Sequence, residues 1–381
     1  MAIVPPTWEI NEMVHAIFEA PTYHLFLEAI LIICIIKLLF SKSYNPEKTI
    51  LTEKEEAKKT LRHYGVGSCG PRAFYGTMDL HLFMEEQLQK FMEVESTILY
   101  CYGFATIASA IPAYAKRGDV IFCDEGACFS IQKGLLASRS EIRYFRHNDM
   151  EHLEELLIQQ QKEEQKNPKK AKITRKFITV EGVYMNYGDI CPLPKILEFK
   201  YKYKVRIFLE ESFSLGVFGK NGRGLTEHFG IPIEEIDFLA ASLENAFAST
   251  GGLCVGKKYI IDHQRLSGQG YCFSASQPPL CVTAGIEAFR MVEENPDIIK
   301  QLRDKCEEVH EKLTGIEGLE LCGAPMSPVK HLHLIEPSDD RDIDERTLQK
   351  IVEMAHQQKI GLTVAQYLVD EEHNLPKPSE S

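Results

Sequence analysis

The segment Tyr102-Gly103-Phe104-Ala105-Thr106 is where the backbone of this chain could do chemistry. It follows an apolar run, Thr97 to Cys101, that reads as a strand, and opens a second, Phe104 to Tyr114, that reads as a helix. Such a junction leaves the N–H groups of the first helical turn free, and these could cradle a phosphate. A tight turn that needs glycine is the plainer use of the same residues. A second stretch, Tyr64-Gly65-Val66-Gly67-Ser68-Cys69-Gly70-Pro71-Arg72 with Gly76, Thr77 and His81 beyond it, has too many glycines for a regular element and predicts a close-packed loop. His331 and His333 fall on one face of a predicted strand, Val329 to Ile335, but no third ligand type stands nearby in sequence, which argues against a metal site. Eleven cysteines are scattered without a CxxC pair or zinc-ligand spacing and read as reduced thiols in a reducing compartment.

The elements that must position these residues alternate between strand and helix. After the first pair come Val120 to Cys123 as a strand and Phe129 to Ser138 as a helix. Lys176 to Val180, Val205 to Leu209 and Ile236 to Ala240 are short β-branched or aromatic runs of the buried-strand type, interleaved with helices such as Leu193 to Tyr203. This rhythm predicts an α/β fold with a mostly parallel sheet flanked by helices, and ligands in such folds bind at the carboxyl ends of the strands. Glu151 to Lys172 is highly charged and reads as a solvated helix and loop without chemistry. A long helical stretch follows Pro278 and Pro279, with Asn295 as an N-cap and Pro296 opening its second part. Val329 to Ile335 and a helix over Glu345 to Gln358 then suggest a small C-terminal α+β unit.

With 381 residues, 44% hydrophobic and 26% charged, the chain fits a large globular domain plus a smaller one. The net charge of −12 is spread along the sequence, which argues against nucleic acid as a partner. Tyr23 to Ser41, YHLFLEAILIICIIKLLFS, would span roughly 28 Å as a helix, close to the ~30 Å hydrocarbon layer. Glu28 and Lys37 interrupt it, and each must reach toward its own end of the span. Glu9, Glu12 and Glu19 precede it without a Lys or Arg, which disfavours a signal peptide. Lys37, Lys42 and Lys48 lie at its C-terminal end and place the body on the cytosolic side. The expected organisation is an N-terminal lumenal segment over 1–22, a transmembrane helix over 23–41, a linker over 42–63, a large domain over 64–293 and a small C-terminal domain over 294–381.

Taken in order, the motifs resemble the α-oxoamine synthase family of pyridoxal 5′-phosphate (PLP) enzymes, densely from Tyr64 to Glu293 and less beyond. The resemblance rests on the Tyr64 to Arg72 loop, on Tyr102 to Thr106, on Glu181-Gly182-Val183-Tyr184 with Gly188-Asp189 and Pro192-Leu193-Pro194, on the GxxGRG run Gly219 to Gly224, and on Ser242 to Gly252. It implies a fold-type I PLP-dependent transferase. It also singles out four departures. Asn245 stands at the position of the lysine that binds PLP, and an amide cannot condense with an aldehyde. Cys128 replaces the histidine that stacks on the pyridine ring, Glu210 replaces the aspartate that pairs with the pyridine nitrogen, and Phe213 replaces a second histidine.

The resemblance therefore implies a chain from the serine C-palmitoyltransferase branch of the family that is not active alone. That complex condenses L-serine with palmitoyl-CoA to 3-oxosphinganine, in sphingolipid synthesis. PLP would be held covalently by a lysine-bearing partner subunit in a heterodimer, with this chain anchored in the endoplasmic reticulum membrane and in contact with its lipid. Cys69, Arg72 and Ser274 are the residues it would lend to the partner's site. The family places a further segment between the membrane helix and Tyr64, and continues past Ser381 into a strand bearing a substrate-carboxylate arginine, so a shortened form with an incomplete small domain is expected. Two other readings differ in kind. A scaffold or regulatory membrane protein, including an inactive short isoform, would leave the partner's activity independent of this chain. A self-sufficient PLP acyltransferase would need a lysine in the motif, and Lys220, Lys257 and Lys258 lie elsewhere.

Overall fold

The computed structural model describes residues 51–338 and 340–365. The expected lumenal segment and the span Tyr23 to Ser41 lie outside them. Among the described residues no helix is long and apolar enough to cross a membrane.

The first described element is a helix, α1 (Leu51–Tyr64), which begins in the stretch read as a linker over 42–63 and ends one residue beyond it. Its sequence, LTEKEEAKKTLRHY, has strong helix formers but no broad apolar stripe, so helix propensity rather than a hydrophobic pattern is its signal. The glycine-rich loop follows, then α2 (Asp79–Met92) and β1 (Ser96–Tyr100). The βα rhythm continues with α3 (Gly103–Tyr114), β2 (Val120–Asp124), α4 (Phe129–Ser138), β3 (Glu141–Phe145), α5 (Met150–Lys166), β4 (Lys176–Glu181), α6 (Leu193–Tyr203), β5 (Arg206–Glu210) and β6 (Phe238–Ser242). The chain then doubles back through β7 (Gly252–Gly256).

These strands form one seven-stranded sheet in the order β1-β7-β6-β5-β4-β2-β3. Strand β7 pairs antiparallel with both β1 and β6, and the other pairings are parallel, so the sheet is mostly parallel, as expected. Every residue of β2 and of β6 is buried, which is what a strand covered on both faces requires. The pleat then sorts neighbours to opposite cores. Phe122, Ile178, Ile207 and Leu239 pack with Leu153 and Leu157 of α5 and Ile196 and Phe199 of α6. Ile121, Phe177, Phe208 and Phe238 pack with Ile107 and Ile111 of α3 and Ile131 and Leu135 of α4. In the second layer the rings of Phe177, Phe208 and Phe238 follow one another across three strands at centroid distances of 4.8 and 5.1 Å.

Beyond the sheet come α7 (Lys258–Ser267), α8 (Pro279–Glu294) and α9 (Asp297–Leu313). Asn295 ends α8 rather than capping α9, whose cap position is Pro296, a shift of one residue from the expected boundary. A two-stranded antiparallel sheet, β8 (Leu319–Cys322) with β9 (His331–Leu334), and α10 (Arg341–Gln357) complete the C-terminal part. This part is tied by its backbone to the turn after β4. The Ala324 N–H donates to the Gly188 carbonyl at 3.0 Å, and a Cβ on Gly188, whose φ is +74°, would lie 2.5 Å from the Val329 carbonyl oxygen.

Candidate functional site

The carboxyl ends of β1, β2, β4, β5 and β6 converge on one edge of the sheet, and the four departing residues gather there in a connected set. Glu181 and Glu210 close β4 and β5 as direct neighbours in register, and both are buried. The Glu181 carboxylate accepts the Cys128 N–H at 2.5 Å and the Met185 N–H at 3.1 Å. The Glu210 carboxylate accepts the Ser212 N–H at 3.1 Å and the Ser212 hydroxyl. Burial pushes both acids well above the usual carboxylate range, and the adjacent Glu210 charge raises Glu181 further. Glu211, pushed up by burial to about 7, turns the other way. It accepts the Ser214 hydroxyl at 2.6 Å and the Leu225 N–H at 3.0 Å, and so ties the GxxGRG run to the end of β5.

Cys128 is the N-cap residue of α4, with its sulfur 3.1 Å from the Ser130 hydroxyl, and its burial beside Glu181 raises the thiol pKa. Phe213 is half-buried and packs against the first core. Asn245 is exposed on the β6–β7 turn, and its amide nitrogen donates to the Ser212 carbonyl at 2.8 Å. Cys128, Glu210 and Asn245 thus lie on one thread that runs from the α4 N-terminus through Glu181, Glu210 and Ser212, with Phe213 the next residue after Ser212.

The residue beside Asn245 has a contact that the sequence did not flag. The Glu244 carboxylate accepts the Gly103 N–H, the first of α3, at 2.8 Å, and the Gly251 N–H at 3.4 Å. Only glycine admits it: a Cβ at position 103 would lie 2.4 Å from the Ser242 hydroxyl oxygen and 3.0 Å from Glu244 Oε2. A carboxylate two residues beyond the end of a buried strand is the signal that could have pointed to it.

The residues expected to serve a partner divide. Cys69 is exposed, with φ at +55° in the loop, while Ser274 is half-buried and bonded to the Cys101 sulfur. Their segments are joined, since Pro71 bridges to Ala275 and the Ser276 N–H donates to the Gly70 carbonyl at 2.9 Å. Arg72 points inward. It pairs with buried Glu85 at 3.0 Å, and Glu85 also takes Arg265 at 3.2 Å and the Leu99 N–H at 3.0 Å. Its guanidinium therefore holds the loop to the protein's own core and offers no charge at the surface, because a buried arginine is stable only with such a partner. The His331 Nε2–H donates to the Met185 carbonyl at 2.8 Å, and His333 is buried behind it with ring centroids 6.3 Å apart.

The chain belongs to the class I and II aminotransferase family, whose model matches residues 36–373. It is 44% identical over 342 residues to serine palmitoyltransferase 1 of Dictyostelium discoideum, a match covering 88% of this chain and 69% of that one. It is 43% identical over 311 residues to long chain base biosynthesis protein 1 of Arabidopsis thaliana, covering 82% of this chain and 64% of that protein. A serine palmitoyltransferase structure solved with PLP superposes with a TM-score of 0.72 at 25% identity, over 83% of this chain and 75% of that one.

The PLP that this solved relative carries is a test for the residues present here, and they do not fit it. The N–H that opens α3, the natural seat of a phosphate, already holds the Glu244 carboxylate. Cys128 presents no aromatic face, and the Asn245 amide is engaged by the Ser212 carbonyl. Glu210 alone keeps the acid type that the resemblance assigns to its position, and it is bonded to Ser212.

Proposed function

We propose that this chain is a non-catalytic subunit of serine palmitoyltransferase, acting in sphingolipid synthesis beside a lysine-bearing partner that holds PLP. The observation that carries the proposal is Asn245: an amide, bonded to the Ser212 carbonyl, stands where the resemblance assigns the reactive amine, in a chain that keeps the fold around it. The identities of 43–44% to proteins named serine palmitoyltransferase 1 and long chain base biosynthesis protein 1 support the same branch.

In this reading the complex joins L-serine to palmitoyl-CoA. Tyr23 to Ser41 anchors the chain in the endoplasmic reticulum membrane with its body in the cytosol, and residues 64–293 and 294–381 serve as the large and small domains. The loop from Val66 to Tyr75 and the strip around Phe273 face the partner. Val66, Phe74, Tyr75 and Phe273 are all exposed side chains on segments joined by the Pro71–Ala275 bridge, and Tyr75 is 99% exposed. Clustered aromatics open to solvent mark a surface that a partner covers. Cys69 and Ser274 belong to this strip and would approach the partner's site, while Arg72 acts by holding the loop.

The test is to express the chain in membranes with and without a lysine-bearing partner, and to measure partner capture and condensation of serine with palmitoyl-CoA together. Capture with activity that depends on this chain supports the proposal. Capture with activity independent of it would favour a scaffold or regulatory protein instead, and no capture would overturn the subunit reading.

A further inference from the structure

We infer that Glu244 is an internal substitute for the cofactor's phosphate: its carboxylate occupies the anion seat at the N-terminus of α3 and keeps phosphorylated ligands out of this chain's own site. The inference rests on the reading of a chain that carries no cofactor itself, and it assigns one residue to the exclusion.

Three observations place the carboxylate. Gly103 N–H, at the positive end of a 12-residue helix, donates to Glu244 Oε1 at 2.8 Å. From the β6–β7 turn, the Gly251 N–H points to the same oxygen at 3.4 Å. The Glu244 backbone is itself held, because its N–H donates to the Ser242 hydroxyl at 3.0 Å. One anion thus bridges the β1–α3 turn and the β6–β7 turn, the two loops between which a phosphate at this helix end would lie.

A dianion brought to that seat would meet a carboxylate at the Gly103 N–H instead of a free donor. Like charges at contact distance disfavour one another, and the Gly103 and Gly251 N–H groups are already taken by this carboxylate. The substitution also serves the fold. Without a ligand the Gly103 N–H would lack its acceptor, and the β6–β7 turn would lack its tie to α3. The amide at 245 and the carboxylate at 244 then act in the same direction: one offers no covalent link, the other closes the non-covalent seat.

The experiment uses the full chain in detergent micelles, without a partner, so a failure to exclude phosphate and a failure to assemble are separate results. Wild type, Glu244→Ser and Glu244→Gln are titrated with inorganic phosphate at constant ionic strength, and with pyridoxal 5′-phosphate against unphosphorylated pyridoxal, following thermal unfolding and calorimetric heat. Glu244→Gln keeps an acceptor for the Gly103 N–H and so reports on charge even where Glu244→Ser folds poorly. The expected result is no phosphate response in wild type and roughly tenfold or greater tightening in Glu244→Ser, with Glu244→Gln between them. A preference for pyridoxal 5′-phosphate over pyridoxal should appear only in the variants. Equal phosphate binding by wild type and variants, or no response in either variant, overturns the assignment.

Discussion

A Cβ at Gly103 would lie 2.4 Å from the Ser242 hydroxyl oxygen and 2.7 Å from the Ser242 Cβ, closer than any side chain tolerates. Gly103→Ala must therefore push the β6–β7 turn away from α3, and should destabilise the chain by about 1–3 kcal/mol in urea unfolding. The same substitution should loosen the turn that carries Asn245. At Glu85 the stabilisation is electrostatic. Its carboxylate and the Arg72 guanidinium are each nearly solvent-free, with side-chain exposures of 8% and 4%. Arg72→Met should cost about 2–4 kcal/mol, toward the lower end because Arg265 still reaches Glu85, whereas removal of both arginines should cost more than the sum of the single losses. A double-mutant cycle on Arg72 and Arg265 in denaturant measures this. These contacts also show what a motif reading cannot give. Cys128, Glu210, Phe213 and Asn245 stood out as changes of residue type within short contiguous motifs. The role of Glu244 depends on a partner far away in sequence, since Glu244 and Gly103 are 141 positions apart.

At the scale of elements, His147 joins the end of β2 to the turns after β3 and β4. One ring nitrogen meets Asp124 at 2.8 Å, the other meets Asp189 at 3.0 Å, and the ring stacks on Tyr187 at 3.9 Å. Burial by itself would lower the imidazole pKa, but bonds to the two carboxylates outweigh it and raise the pKa to about 10. The folded pKa thus lies above the unfolded value of about 6.5. The stabilisation from this cation is complete below about pH 6.5 and is lost as pH rises through about 10. In His147→Gln the stability deficit should shrink from pH 6.5 toward pH 10, read as the difference in urea midpoints from wild type across that window. A constant deficit would mean that the ring acts by packing alone. Not every element here was legible. Strands β4, β5 and β6 announced themselves as apolar runs, whereas β3, EIRYF, has an exposed or half-buried character over most of its length as an edge strand, and β7 begins and ends in glycine. Both were missed because their strand state is conferred by neighbours in the sheet rather than by their own pattern.

On the scale of the whole molecule, the exposed strip formed by Val66, Phe74, Tyr75 and Phe273 lies beside the β1–α3 turn through the Ser274–Cys101 contact. A partner covering it would also border the Glu244 seat. Tyr75→Asp and Phe273→Asp remove apolar surface that makes little contact within the chain, so unfolding stability should stay within about 0.5 kcal/mol of wild type. Capture of a lysine-bearing partner should fall at least roughly tenfold, since hot-spot aromatics typically carry more than that. Unchanged capture in a co-purification assay would remove this strip from the interface. The amino-acid sequence by itself determined the fold class, the mostly parallel sheet and the absence of an amine at position 245, because runs of apolar residues and contiguous motifs are local properties of a chain. Only the tertiary structure decided that Arg72 is buried, that Glu181 and Glu210 stand side by side, and that a carboxylate closes the end of α3. Those outcomes depend on strand order and on which loops the sheet brings together, and neither is encoded in any short stretch of residues.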